Sequence, residues 1–136
     1  MDVSILLGSK SDMPIAEKCT KVLDKFGVNY QLRVASAHRS PKFVEDIIHK
    51  AEEDGCKVFI AMAGLAAALP GVVAVETELP CVGVPVPGGP LKGIDALLAM
   101  SQVPGGVPVG CVGIHSKAPL NAAMYAYRIL KFAGLE

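Results

Sequence analysis

The sequence predicts an α/β fold of three layers, an open parallel sheet with helices on both faces. Two observations carry that expectation. Five short runs, at 3–7, 29–35, 57–61, 81–86 and 109–114, are apolar and mostly unalternating, as strands covered on both faces are. Between consecutive runs the chain offers helical patterns long enough for the dozen or more residues of a parallel crossover. Such crossovers are right-handed, which leaves helices above and below the sheet.

Taken in order, 3–7 reads as a fully buried strand and leads into Gly-Ser-Lys-Ser-Asp at 8–12. A helix follows with Ile15, Ala16, Cys19, Val22, Leu23 and Phe26 on one stripe. Ser11 or Asp12 is placed to cap it, and Pro14 fits its first turn, where a missing N–H costs no intrahelical bond. Gly27 stops it, and 29–35 forms the second strand.

Ser40 is expected to cap the next helix, with Pro41 at its first position, Phe43, Ile47, Ile48 and Ala51 on its buried face and Gly55 at its close. The third strand, 57–61, enters a turn near Ala63-Gly64 and then a short helical stretch, and Pro70 begins or kinks a helix reaching about Val75. In the fourth run, Pro85 predicts that the end has left the sheet. A Pro/Gly loop at 87–90 precedes a short helix with Ile94, Leu97, Leu98 and Ser101 on one side. The turn at 104–106 feeds the fifth strand. A last helix, 121–132, ends at Gly134 and offers Ala122, Ala126, Ile129, Leu130 and Ala133 for packing.

A chain of 136 residues fits one domain, 1–136, with a sizeable core. Lys plus Arg and Asp plus Glu number 13 each, so no basic excess supports nucleic-acid binding. Cys19, Cys56, Cys81 and Cys111 have no metal spacing, lie in or beside apolar runs and read as small buried hydrophobes in a reducing compartment. No run suits a bilayer span and Met1-Asp2 leads straight into the first strand, so a cytoplasmic protein is expected. A hydrophobic share of 51% with only 5% aromatic residues predicts that some apolar surface lies between subunits.

Function is carried by where the polar residues fall. In open α/β sheets ligands bind beyond the carboxyl ends of the strands. Residues 8–12, 36–40, 63–64, 87–92 and 115–117 all fall at those ends. The first turn has neither a dinucleotide fingerprint nor a Walker lysine motif, so neither a nicotinamide cofactor nor ATP is indicated. Its backbone N–H groups and the Ser9 and Ser11 hydroxyls suit a phosphate, and Asp12 suits a sugar diol, with plain helix capping as the competing role. Arg39 opposes the dipole of the helix it precedes, a cost that an anionic ligand would offset, with a solvent-exposed Arg39 without a partner as the competing role. His38 carries the side chain suited both to donate and to accept a proton in one turnover. His49 reads as a solvated-face residue, and the three histidines are spread too far in sequence to suggest a metal site.

Gly-Ser-Lys-Ser-Asp at 8–12, Ser-Ala-His-Arg-Ser-Pro at 36–41, Ala-Gly-Leu-Ala-Ala-Ala-Leu-Pro-Gly at 63–71 and Gln-Val-Pro-Gly-Gly-Val-Pro-Val at 102–109 together resemble the PurE family. These are the N5-carboxyaminoimidazole ribonucleotide mutases of purine biosynthesis, and the resemblance runs to the closing Asn-Ala-Ala at 121–123. It implies a flavodoxin-like domain, a homo-octamer with clefts shared between subunits, and no cofactor or metal. By the matching positions it implies Ser9, Ser11 and Asp12 on ribose and phosphate, Ser36 and Arg39 on phosphate and nearby ligand groups, and His38 as general acid and base. Ala63, Gly64 and Leu65 would frame the imidazole and its carboxylate with backbone groups. The implied reaction moves a carboxylate from the exocyclic nitrogen to ring carbon 4, with the loop 86–92 and the segment 114–119 as candidate covers that keep carbon dioxide in the cleft.

The chain departs from the family pattern at Ala68, where bacterial mutases usually carry histidine before Leu-Pro-Gly, and at the loop 115–120. That departure raises, as an alternative, the related branch that carboxylates aminoimidazole ribonucleotide directly with carbon dioxide, although Leu69-Pro70-Gly71 is intact as in the mutases. His115 or Lys117 can restore a polar contact in the cleft or be plain loop surface. A further alternative is a nucleotide-binding module without turnover, from which a poised His38 distinguishes an enzyme.

Overall fold

The computed structural model describes residues 1–134. Its five strands are β1 (Val3–Leu7), β2 (Tyr30–Val34), β3 (Val58–Ala63), β4 (Cys81–Pro85) and β5 (Gly110–Cys111). They lie parallel in the order β2-β1-β3-β4-β5. The crossovers are α1 (Met13–Lys25), α2 (Pro41–Glu53), α3 (Leu69–Glu76) and α4 (Ile94–Ser101), and α5 (Ala118–Phe132) follows β5. Strand order 2-1-3-4-5 is that of the flavodoxin-like fold.

Alternate side chains of each strand enter separate cores, as the two-residue strand period requires. Val3, Ile5 and Leu7 of β1, with Ile60 and Met62 of β3, pack under α1 and α5. Leu6, Phe59 and Ala61 point the other way, onto α2, α3 and α4. Every residue of β1, β3 and β4 is buried, which explains why these strands read as continuous apolar runs. Buried Ala122, Ala123 and Ala126 let α5 lie close to the sheet beside α1.

Several local expectations are corrected. Ser9, rather than Ser11 or Asp12, supplies the cap: a 3-10 turn at Lys10–Asp12 precedes α1, and the Ser9 hydroxyl accepts the Ser11 N–H. Ser40 occupies the cap position of α2 with no side-chain cap bond, although Pro41 does begin the helix. The buried stripe of α2 is Val44, Ile47, Ile48 and Ala51, and Phe43, one residue off that i, i+3, i+4, i+7 row, is half exposed. No helical stretch separates Gly64 from α3; residues 64–68 form a turn closed by the Ala67 N–H on Gly64 O, and Pro70 sits in the first turn of α3 without kinking it.

Pro85 stays in the sheet, in register with Ala63. Val86 N–H bonds to Ala63 O, so the adjacent Pro85 nitrogen points to the other side, where β5 has already ended. β5 itself shrinks to two residues, although Val112 N–H still reaches Gly83 O. In α4 the buried residues are Ala96 and Met100, while Ile94 and Leu98 face solvent. The last helix begins at Ala118, buries Ala118, Pro119 and Ala123 as well, and leaves Ala133 exposed. All four cysteines are free thiols. Burial pushes the Cys19 and Cys81 thiols up to about 12 and that of Cys56 to about 11, so they serve as small apolar groups. Among the described residues no helix is long and apolar enough to cross a membrane.

Candidate active site

Three turns stand side by side because β2, β1 and β3 are neighbours in the sheet. From β2 comes 36–39, from β1 comes 8–12, and from β3 comes 63–65. Ala35 N–H bonds to Leu7 O and Gly8 N–H bonds to Met62 O, so the register holds as the strands give way to turns. Gly8 also lies against Ala63: a methyl at Gly8 would stand 3.4 Å from the Ala63 side chain.

The β2 turn is organised by Ser36. Its carbonyl accepts the Ser40 N–H at 2.9 Å and its hydroxyl accepts the Arg39 N–H at 3.2 Å. That double closure holds His38 and Arg39 at the tip of the turn, both exposed beyond the carboxyl edge of the sheet. In the β1 turn the Ser9 and Ser11 hydroxyls lie 2.8 Å apart and both are exposed. Asp12 is buried behind them, and that burial raises its carboxyl above the ordinary aspartate value of 3.8, opposed in part by a hydrogen bond with the Ser9 backbone. In the β3 turn Ala63 is buried, Gly64 is half-buried, and Leu65 projects to solvent from a left-handed backbone with φ 52°.

The three turns thus present two hydroxyls, a buried carboxyl, an imidazole and a guanidinium along one rim. Such a set suits an anionic ligand that also carries hydroxyl groups. The 115–117 segment leads from β5, the edge strand opposite β2, into α5, which packs on β3 and β4 beside α1. His115 Nδ1 there accepts the Lys117 N–H at 3.3 Å, shaping its own loop. Ala68 itself stands at the N-cap position of α3 and is half-buried.

Two other features are separate from this rim. A cavity of about 620 Å³ opens at the amino ends of the strands, lined by Glu52, Glu76, Thr77 and Glu78 among others. Its carboxylates would repel a phosphate, and it lies at the wrong end of the sheet for a ligand of this fold. His49, expected as a solvated-face residue, is half exposed and pairs with Glu76 at 3.5 Å. With Glu45 these two offer ligand atoms within 4.8 Å of one another, a spatial cluster that the spread of the histidines in sequence gave no sign of.

Fold and rim together define a flavodoxin-like α/β protein whose polar turns gather at the carboxyl ends of β1, β2 and β3. The AIR carboxylase family model matches residues 2–135. The N5-carboxyaminoimidazole ribonucleotide mutase of Methanocaldococcus jannaschii is 51% identical over 94% of this chain and 78% of its own. That of Vibrio parahaemolyticus is 47% identical over 96% of this chain and 81% of its own. Among solved structures, Treponema denticola PurE superimposes with a TM-score of 0.86 at 34% identity, covering 96% of this chain and 80% of that one. The chain belongs to the AIR carboxylase family.

Proposed function

We propose that this protein interconverts N5-carboxyaminoimidazole ribonucleotide and 4-carboxy-5-aminoimidazole ribonucleotide, an isomerase step of purine biosynthesis. One observation carries the reading: a chain 47–51% identical to enzymes of that name brings the 8–12, 36–39 and 63–65 turns together at one edge of its sheet. The intact Leu69-Pro70-Gly71 starts α3 directly behind the third turn and supports the mutase over the carbon-dioxide-using carboxylase.

In this reading the Ser9 and Ser11 hydroxyls and Asp12 hold the ribose and phosphate, and Arg39 neutralises anionic oxygens of the ligand. Ser36 acts mainly by closing the turn that carries His38 and Arg39. Backbone groups of Ala63, Gly64 and Leu65 border the imidazole.

Protonated His38 delivers its proton to the exocyclic nitrogen as the N–C bond breaks. The bonding pair stays on that nitrogen, and neutral carbon dioxide and the free amine result. C4 then attacks the carbon dioxide, the new carboxylate takes the displaced pair, and the neutral imidazole removes the C4 proton. His38 ends as it began, and the reaction balances without an external proton, metal or redox partner.

The enzyme works as a single 1–136 domain assembled into a homo-octamer in the cytoplasm. Assembly is supported by apolar residues that the fold leaves outward, Leu91, Ile94 and Leu98 around α4 and Val75 on α3. An open rim with exposed His38 and Arg39 suits a cleft whose second wall is a neighbouring subunit.

The test offers purified protein the N-carboxylated substrate, or the free amine with bicarbonate and labelled carbon dioxide. The expected result is unlabelled 4-carboxy product from the former and loss of turnover, with binding kept, in His38→Asn. Product formed only from the amine and carbon dioxide identifies the carboxylase. Ribonucleotide binding without product from either identifies a binding module.

A further inference from the structure

Loss of carbon dioxide is the characteristic failure of a reaction that passes through it, so some part of the rim has to retain an uncharged, apolar molecule. Two loops stand out by their backbone. Among the described residues three non-glycines have positive φ, Leu65 at 52°, Ala67 at 42° and Lys92 at 53°. All three lie in the loops that follow β3 and β4, which are neighbours in the sheet. Left-handed backbone is unfavourable for residues with a Cβ, and its concentration in one place marks a segment held for a purpose other than stability.

These loops are fitted to each other. A methyl at Gly64 would stand 3.2 Å from the Val86 carbonyl oxygen. At Gly89, which itself has φ 66°, a methyl would come within 2.7 Å of Leu65 Cδ2. The neighbouring Gly88 has nothing within 4 Å of such a methyl. Leu65 therefore leaves its turn sideways, rests on the bare backbone of Gly89, and still exposes 58% of its surface beside the rim. An exposed leucine with a strained backbone and a glycine seat adds little to the core.

We infer that Leu65 determines the outcome of the reaction: seated on Gly89, its side chain is the apolar wall that keeps released carbon dioxide over C4 and water away from it. The inference rests on the reaction proposed above. A branched hydrocarbon suits the role because it offers carbon dioxide no nucleophile and brings no water with it. The 86–92 loop then acts as the fixed seat of that wall rather than as an independent lid.

The experiment follows turnover of the N-carboxylated substrate in buffer equilibrated with labelled carbon dioxide. It measures the ratio of free amine to 4-carboxy product and the label entering that product, beside the affinity for the ribonucleotide. Leu65→Ala is expected to raise both leakage measures about tenfold, the low end for methylenes lost from an apolar wall, while affinity changes little. Gly89→Ala, which displaces the side chain from its seat, is expected to leak in the same direction. Leu65→Met restores retention, and Gly88→Ala keeps the parent ratio. Leu65 is exposed, so Leu65→Ala folds and decides the matter even if Gly89→Ala does not.

An unchanged ratio in Leu65→Ala, or equal leakage in the two glycine variants, overturns the role of Leu65 while leaving the reaction standing. A parent protein that converts no substrate overturns the reaction and this role together.

Discussion

Asp12 is the one buried charged residue among the described residues, so in the proposed reading it bears on both ligand binding and stability. Burial raises its carboxyl above 3.8, so the unfolded chain gives up this proton at lower pH than the native protein does. The native state is thereby penalised as pH rises from about 3.8 through the raised native value, and the penalty persists above it. Asp12→Asn is expected to unfold at higher urea concentration than the parent near pH 7, to show no gain at pH 3.5, and to bind the ribonucleotide more weakly. A variant less stable than the parent at neutral pH would show that the carboxylate is a net stabiliser of the turn. The sequence offered Ser9, Ser11 and Asp12 as a group, because polar residues between an apolar strand and an amphipathic helix are legible from spacing. It did not separate them, since Ser9 rather than Asp12 makes the cap bond, a choice that depends on the 3-10 turn preceding the helix. Ser36 shows the same limit. Its place on the rim was readable, while its hydrogen bond to the Arg39 N–H follows from the turn geometry.

Among the elements, β4 is closely fitted at Gly83. A methyl on Gly83 would stand 2.9 Å from Val109 Cγ1 and 3.1 Å from Met100 Sδ, so this strand admits α4 and the approach to β5 only because position 83 has no side chain. Gly83→Ala is expected to destabilise the protein by about 1–3 kcal/mol, the usual cost of overpacking, read as a fall in the urea midpoint without a change in slope. A neutral result would mean that Met100 yields freely. The helices whose apolar stripe is bounded by polar residues, α1 and α2, were readable from period and punctuation. α4 was not, because Ile94, Ala96, Leu97, Leu98 and Met100 make it apolar nearly all round and no period then selects the buried side. The small residue Ala96 faces inward, and the large Ile94 and Leu98 face out.

At the scale of the whole molecule that inversion has a use. Leu91, Ile94 and Leu98 line up around α4, and Val75 of α3 is 65% exposed on the same side of the sheet. A second copy of the chain is the expected cover, in keeping with an apolar composition too rich for so small a monomer. The parent is expected to sediment as an octamer at micromolar concentration, and Ile94→Asp combined with Leu98→Asp to sediment as a smaller species. A parent that sediments as a monomer would remove the shared cleft from the reading above.

Strand count, the five longer helices and the polar turns were present in the amino-acid order, because a two- or 3.6-residue period and its Gly and Pro punctuation are local properties of a chain. The order β2-β1-β3-β4-β5, which sets three rim turns side by side and puts β5 at the far edge, arises from pairing between distant segments. So do the outward stripe of α4 and the seat of Leu65 on Gly89. Each depends on which surfaces meet once the sheet has closed, and no window along the sequence holds that information.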